Sequence, residues 1–149
     1  MCHPLLSTGA KGLELIENFE SLRLKRYLDS AQRPTIGYGH LILPDETFEG
    51  AITLAKAQYL LQHDLGISER GVRIFITVPL TQNQFDALVS FTLNLGIGSL
   101  KHSTLRHLLN QKRYHPAAEE FLRWDRAGGV IVPGLARRRR AERALFLEP

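Results

Sequence analysis

From Thr53 to just short of Val78-Pro79 the chain carries its longest regular pattern, with Leu54, Ala57, Leu60, Leu61, Asp64 and Leu65 at helical intervals. Thr53 stands where an N-cap belongs, and Pro79 blocks continuation. A helix over about residues 53–75 divides the chain into a shorter segment before it and a longer one after it. That is the plan of two lobes around one joining helix, with an open groove between them. Gly66 and Gly71 weaken the helix by roughly 1 kcal/mol each against Ala. They either allow hinge motion or only relieve packing.

The segment before this helix reads as helix and then hairpin. Leu13, Ile16 and either Phe19 or Glu20 recur at helical spacing, with Ser7 or Thr8 as caps and an end near residues 20–22. Tyr27-Leu28-Asp29, then Ser30 to Pro34, then Thr35 to Tyr38 reads as strand, turn and strand. The carboxylates of this segment require such a reversal if they act together. On one continuous helix Glu20 and Asp29 would stand roughly 13 Å apart along the axis. Carboxyl pairs that cleave sugar bonds stand about 5 to 9.5 Å apart.

The chemistry of the pair follows from where each member sits. One acid must protonate a leaving oxygen while a second carboxylate supports the attacking species or the developing positive charge. Glu20, in the last turn of its helix, feels the negative end of the helix dipole and the apolar neighbours Phe19 and Leu22, which suits a proton donor. Asp29, on a more open hairpin, stays ionised as base or electrostatic support. The Thr35 hydroxyl can orient a water that Asp29 activates.

A Glu, eight residues, an Asp, five residues, a Thr and then Ile36-Gly37-Tyr38-Gly39-His40 resembles the catalytic signature of the phage-type lysozymes, the endolysins of tailed bacteriophages. The resemblance extends through Leu80 to Leu88, Ser90-Phe91, Asn94-Leu95-Gly96, Ser103-Thr104-Leu105, Trp124 with Ala127-Gly128-Gly129, and Gly134-Leu135 with Arg137, Arg138 and Glu142. It covers roughly residues 12–147. It implies an α+β, lysozyme-like, mainly helical fold in a single domain: a lobe over 12–52 with helix and hairpin, the joining helix, and a helical lobe over about 80–149.

The activity implied is hydrolysis of the β-1,4 bond between N-acetylmuramic acid and N-acetylglucosamine in bacterial peptidoglycan. Glu20, Asp29 and Thr35 carry over as the three catalytic positions, Tyr38 as a cleft-lining or hairpin-packing residue, and His40 as the partner of an acidic residue on the next helix, for which Asp64 is the candidate. Two other functions remain open: a lytic transglycosylase, which needs one essential acid and leaves an anhydro sugar, and a non-catalytic wall-binding module on the same fold. Three departures touch the geometry. Ser21 and Gln32 stand where the family usually has Gly, and Pro34 removes a backbone donor beside Thr35. If the turn requires φ > 0 at Gln32, the strain is roughly 1 to 2 kcal/mol.

Composition narrows the setting. Hydrophobic residues at 44% and charged residues at 23% suit a packed globular chain. No apolar run approaches the ~18 to 20 residues that span a bilayer. Gly9, Lys11, Gly12 and Glu14 interrupt the start, so no secretory leader is expected. The resemblance then implies accumulation in the host cytoplasm and release through a holin-type lesion. The single cysteine, Cys2, allows no internal disulfide and is expected to be inert. His102 and His107 lack neighbours at ligand spacing, so neither metal nor cofactor is expected. Trp124 is expected in the core of the helical lobe.

The charge of +4 is concentrated near the C-terminus, where Arg137, Arg138, Arg139 and Arg140 read either as a solvated helix face or as a contact for anionic wall polymers or membrane surfaces. Nucleic acid is not expected, since no fold motif or aromatic interleaving accompanies the run. A monomer is expected.

Overall fold

A computed structural model describes residues 6–149; Cys2 lies outside the described residues. They form two compact units, one of residues 16–66 and one of residues 6–15 with 67–149. The element order is α1 (Ala10–Phe19), β1 (Arg23–Leu28), β2 (Pro34–Gly37), β3 (His40–Leu41), α2 (Leu54–Phe75), α3 (Gln82–Leu95), α4 (Ile97–His102), α5 (Thr104–Asn110), α6 (Tyr114–Glu120), a 3-10 turn (Phe121–Arg123), β4 (Arg126–Ala127), β5 (Val130–Ile131) and α7 (Pro133–Leu147).

In the smaller unit β1, β2 and β3 form one antiparallel sheet in sequence order. The hairpin lies where the turn-forming run Ser30 to Pro34 placed it, and β3 is an addition that two residues of strand gave no periodicity to reveal. Pairing of β1 with β2 runs from Arg23↔Gly37 to Tyr27↔Thr35, four residues against two, so β1 bulges opposite the residues that lead to Thr35. Ile16, Ile36, Ala57, Leu60, Leu61 and Leu65 are buried. Helix α2 begins as its pattern requires: Thr53 Oγ1 accepts the Lys56 N–H at 3.0 Å.

The larger unit is built on α3, which is buried on all sides from Phe85 to Thr92 and whose start carries a capping box between Thr81 and Gln84. Trp124 packs inward, its ring edge-on to Phe91 at 5.5 Å, while Phe91 meets Phe121 at the same distance. Gly71 serves packing, since a Cβ there would come within 3.0 Å of Ile97. Residues 6–15 belong to this unit and are tied down at Thr8, Gly9 and Gly12. Thr8 donates through N and Oγ1 to Glu69 Oε2, both at 2.7 Å. Gly9 and Gly12 donate their N–H groups to Asp86 at 3.0 and 3.1 Å. A buried carboxylate gathers donors, and the first turn of α1 supplies two that have no partner within the helix.

The arginine run differs from the sequence expectation. Arg137 and Arg140 are exposed, but Arg138 and Arg139 are 3% and 0% accessible and face Glu142, which is itself fully buried. Arg139 Nη2 donates to Glu142 Oε2 at 3.0 Å and Ser90 Oγ donates to the same oxygen at 2.6 Å. One turn of α7 places residues 138, 139 and 142 on one face, so the middle two of the four cations turn inward with their counter-ion. Arg138 and Arg139 are therefore structural, and neither a solvated face nor an anion-binding surface contains them. Among the described residues no helix is long and apolar enough to cross a membrane.

Candidate active site

The carboxylates singled out in the sequence fall in one unit, on the sheet and the helix that enters it. Helix α1 ends at Phe19, and Glu20 follows directly, its N–H closing on the Ile16 carbonyl at 2.8 Å. The Glu20 side chain is half-buried and faces the turn between β2 and β3. A Cβ built on Gly39, whose φ is +86, would stand 3.8 Å from Glu20 Oε2. That backbone conformation suits glycine and leaves open space over the carboxylate.

Asp29 opens the other turn of the sheet. Its Oδ1 accepts the N–H groups of Ala31 and Arg33, both at 2.9 Å, and its Oδ2 accepts Arg33 Nε at 3.0 Å. The side chain thereby copies a backbone turn, as Asp does readily. The Arg33 N–H above all, with the Ala31 N–H and the Arg33 charge, holds the Asp29 carboxyl below its ordinary value of 3.8, while slight burial opposes. Gln32 within this turn has φ 62, so the strain foreseen at that position is present. Ser21 is not among the residues of positive φ.

Thr35 is 2% accessible, and its Oγ1 donates to the Arg33 carbonyl at 2.9 Å. The same carbonyl accepts the Asp29 N–H at 3.0 Å. Arg33 thus fixes both side chains, Asp29 through its N–H and Thr35 through its C=O. Because the Thr35 proton is spent on that carbonyl, the lone pairs of Oγ1 remain to accept from a water. Arg33 has no distinctive sequence signal; only its place inside an Asp-led turn could have indicated it.

His40 is buried behind the sheet, with Nδ1 2.8 Å from Asp64 Oδ2 and Nε2 2.8 Å from Glu46 Oε1. Glu46 was not singled out from the sequence, where nothing local marks it as a partner. Burial disfavours the imidazolium, but the hydrogen bonds to Glu46 and Asp64 outweigh it, and His40 is raised above 6.5. Glu46 falls below 4.5 because the Leu43 N–H and His40 outweigh its partial burial. This group braces β3 against α2 and the loop at Glu46. Tyr38, half-buried, has its hydroxyl raised above 10.0 by burial and then by the Glu17 charge.

Residues 17–142 match the family model described as phage lysozyme. The chain belongs to the phage lysozyme family. A lysozyme-like fold agrees with the solved structures: a mutant of P22 lysozyme superposes with a TM-score of 0.88 at 39% identity, covering 96% of this chain and 99% of that one. The muramidase domain of SpmX from Asticaccaulis excentricus gives 0.87 at 36% identity, over 96% and 99% of the two chains. The endolysin of Bacillus phage B103 is 44% identical over 147 residues, 95% of this chain and 54% of that protein. The chain therefore spans about half the length of the Bacillus phage relatives it matches.

Proposed function

We propose that this phage lysozyme is an endolysin that hydrolyses the β-1,4 bond between N-acetylmuramic acid and N-acetylglucosamine of peptidoglycan. The observation that carries the reading is the pairing of Asp29 and Thr35 through Arg33, which presents an ionised carboxylate and a hydroxyl acceptor from one turn. Glu20 faces the neighbouring turn of the same sheet across Gly39.

Glu20 gives its proton to the glycosidic oxygen as the bond to the anomeric carbon breaks. A water held by Asp29 and Thr35 attacks that carbon and passes its proton to Asp29, leaving a new reducing end. Asp29, held below the ordinary carboxylate value, is negatively charged at neutral pH, so it can support the positive charge that develops on the sugar. The activity serves host lysis at the end of a phage infection, with the protein held in the host cytoplasm until a holin-type lesion gives access to the wall, a reading that the endolysin name of its relatives supports.

Turbidity clearance of purified peptidoglycan, with reducing-end analysis of the products, tests this. Glu20→Gln should lower the rate by about 10² to 10⁴-fold. Substantial clearance by that variant would overturn Glu20 as the proton donor, and anhydro-sugar ends together with an active Asp29→Asn would reject hydrolysis in favour of a transglycosylase.

A further inference from the structure

In the larger unit a pocket of about 420 Å³ opens beside the junction of α4 and α5, lined among others by Lys101, His102, Thr104, Arg106 and His107. No carboxylate lines it. Its floor is built rather than incidental. Arg106 Nε donates to the Phe75 carbonyl at 2.9 Å and Nη1 to the Lys101 carbonyl at 3.0 Å, and its guanidinium carbon lies 5.0 Å from the centre of the Phe75 ring. Asn110, also in the lining, is held by two bonds: its amide donates to Phe75 O at 2.8 Å and its oxygen accepts the Thr77 N–H at 2.9 Å.

The guanidinium is therefore locked in place, with Nη2 left lacking a protein acceptor among the described residues. Several arginines of the protein, such as Arg33, Arg73, Arg123 and Arg143, are paired with carboxylates. Among the described residues neither Lys101 nor Arg106 has a carboxylate partner. A rigid guanidinium, a point ammonium, a hydroxyl and two imidazoles around one hollow match a tetrahedral anion that accepts several hydrogen bonds at once. The volume exceeds one phosphate and lies in the ordinary range of about 300 to 1,000 Å³ for ligand sites.

We propose that this pocket binds a phosphodiester group of a polyol-phosphate chain, and so holds the protein to a phosphate-bearing surface apart from its catalytic residues. Binding is read without any lytic assay, so it stands or falls independently of the reaction proposed above. The experiment is titration of the ¹⁵N-labelled protein with inorganic phosphate and with glycerol 3-phosphate at constant ionic strength, against sodium chloride. Saturable amide shifts confined to residues 101–107 are expected. Lys101→Gln and His107→Gln, each folded by circular dichroism, should weaken binding about three- to tenfold.

Two further arms assign the source. Soluble poly(glycerol phosphate) binding without binding to phosphatidylglycerol vesicles is expected, and the reverse would overturn the polyol-phosphate chain in favour of a lipid headgroup. Shifts that do not saturate, that spread equally to Arg137 and Arg140, or that survive both substitutions would overturn the site.

Discussion

Gly12 sits in the first turn of α1, where an alanine would ordinarily help. Replacing a helical glycine by alanine gains about 1 kcal/mol from backbone entropy. Here the added Cβ would lie 2.7 Å from both Cβ and Cγ of Asp86 and 2.9 Å from its Oδ2. Asp86 is 1% accessible and cannot swing into solvent. To relieve the overlap it must retreat by several tenths of an ångström, away from the N–H groups of Gly9 and Gly12 and from Gln82 Nε2, which donates at 2.7 Å. Overpacking costs about 1 to 3 kcal/mol. Loss of one hydrogen bond to a charged group adds about 1.5 to 3 kcal/mol.

Against the gain of about 1 kcal/mol, Gly12→Ala should therefore destabilise by about 1.5 to 5 kcal/mol. At about 2 to 4 °C per kcal/mol for a chain of this size, Tm should fall by about 3 to 20 °C in thermal melts followed by circular dichroism. Gly98→Ala is the control, because nothing lies within 4 Å of its added Cβ and its φ is not positive. That variant should show the bare propensity gain. A Gly12→Ala protein as stable as the parent would refute the claim that Asp86 is immovable.

Three other outcomes follow from the geometry. Arg33→Ala keeps the backbone N–H that most depresses Asp29 but removes the adjacent charge and the Nε bond, so the acid limb of the pH–activity profile should move to higher pH; an unmoved limb would separate Asp29 from activity. The sign follows from linkage: a carboxylate released from a cation protonates at higher pH. Glu142→Gln removes the carboxylate that faces the fully buried Arg139 and should cost about 3 to 5 kcal/mol by chemical denaturation. Gln32→Gly should relieve the strain of φ 62, about 1 to 2 kcal/mol, against an entropy cost of about 0.5 to 1 kcal/mol, for a small net gain in Tm.

The parts of the fold written in local pattern were legible. The Thr53 cap and apolar repeat marked α2 to within a residue at its start, and the run from Ser30 to Pro34 marked the turn that holds Asp29. What escaped depends on partners far along the chain. Four arginines in a row look solvated until Ser90, 52 residues before Glu142, supplies the buried hydroxyl that completes their network; the spacing of Arg138 and Arg139 to Glu142 was the available hint. Likewise nothing near Thr8 and Gly9 in the sequence points to their acceptors, Glu69 and Asp86, which lie 61 and 77 residues away. Strands of two residues, such as β3 to β5, carry no period to detect.

Arg33 holds Asp29 and Thr35 chiefly with main-chain atoms, an N–H toward one and a C=O toward the other. Every amino acid but proline carries both groups. The positioning of the pair is thus written at a site whose side chain can drift. A library randomised at residue 33 should keep most of its members active and lose proline, and a search for this architecture in distant chains gains little by demanding an arginine there.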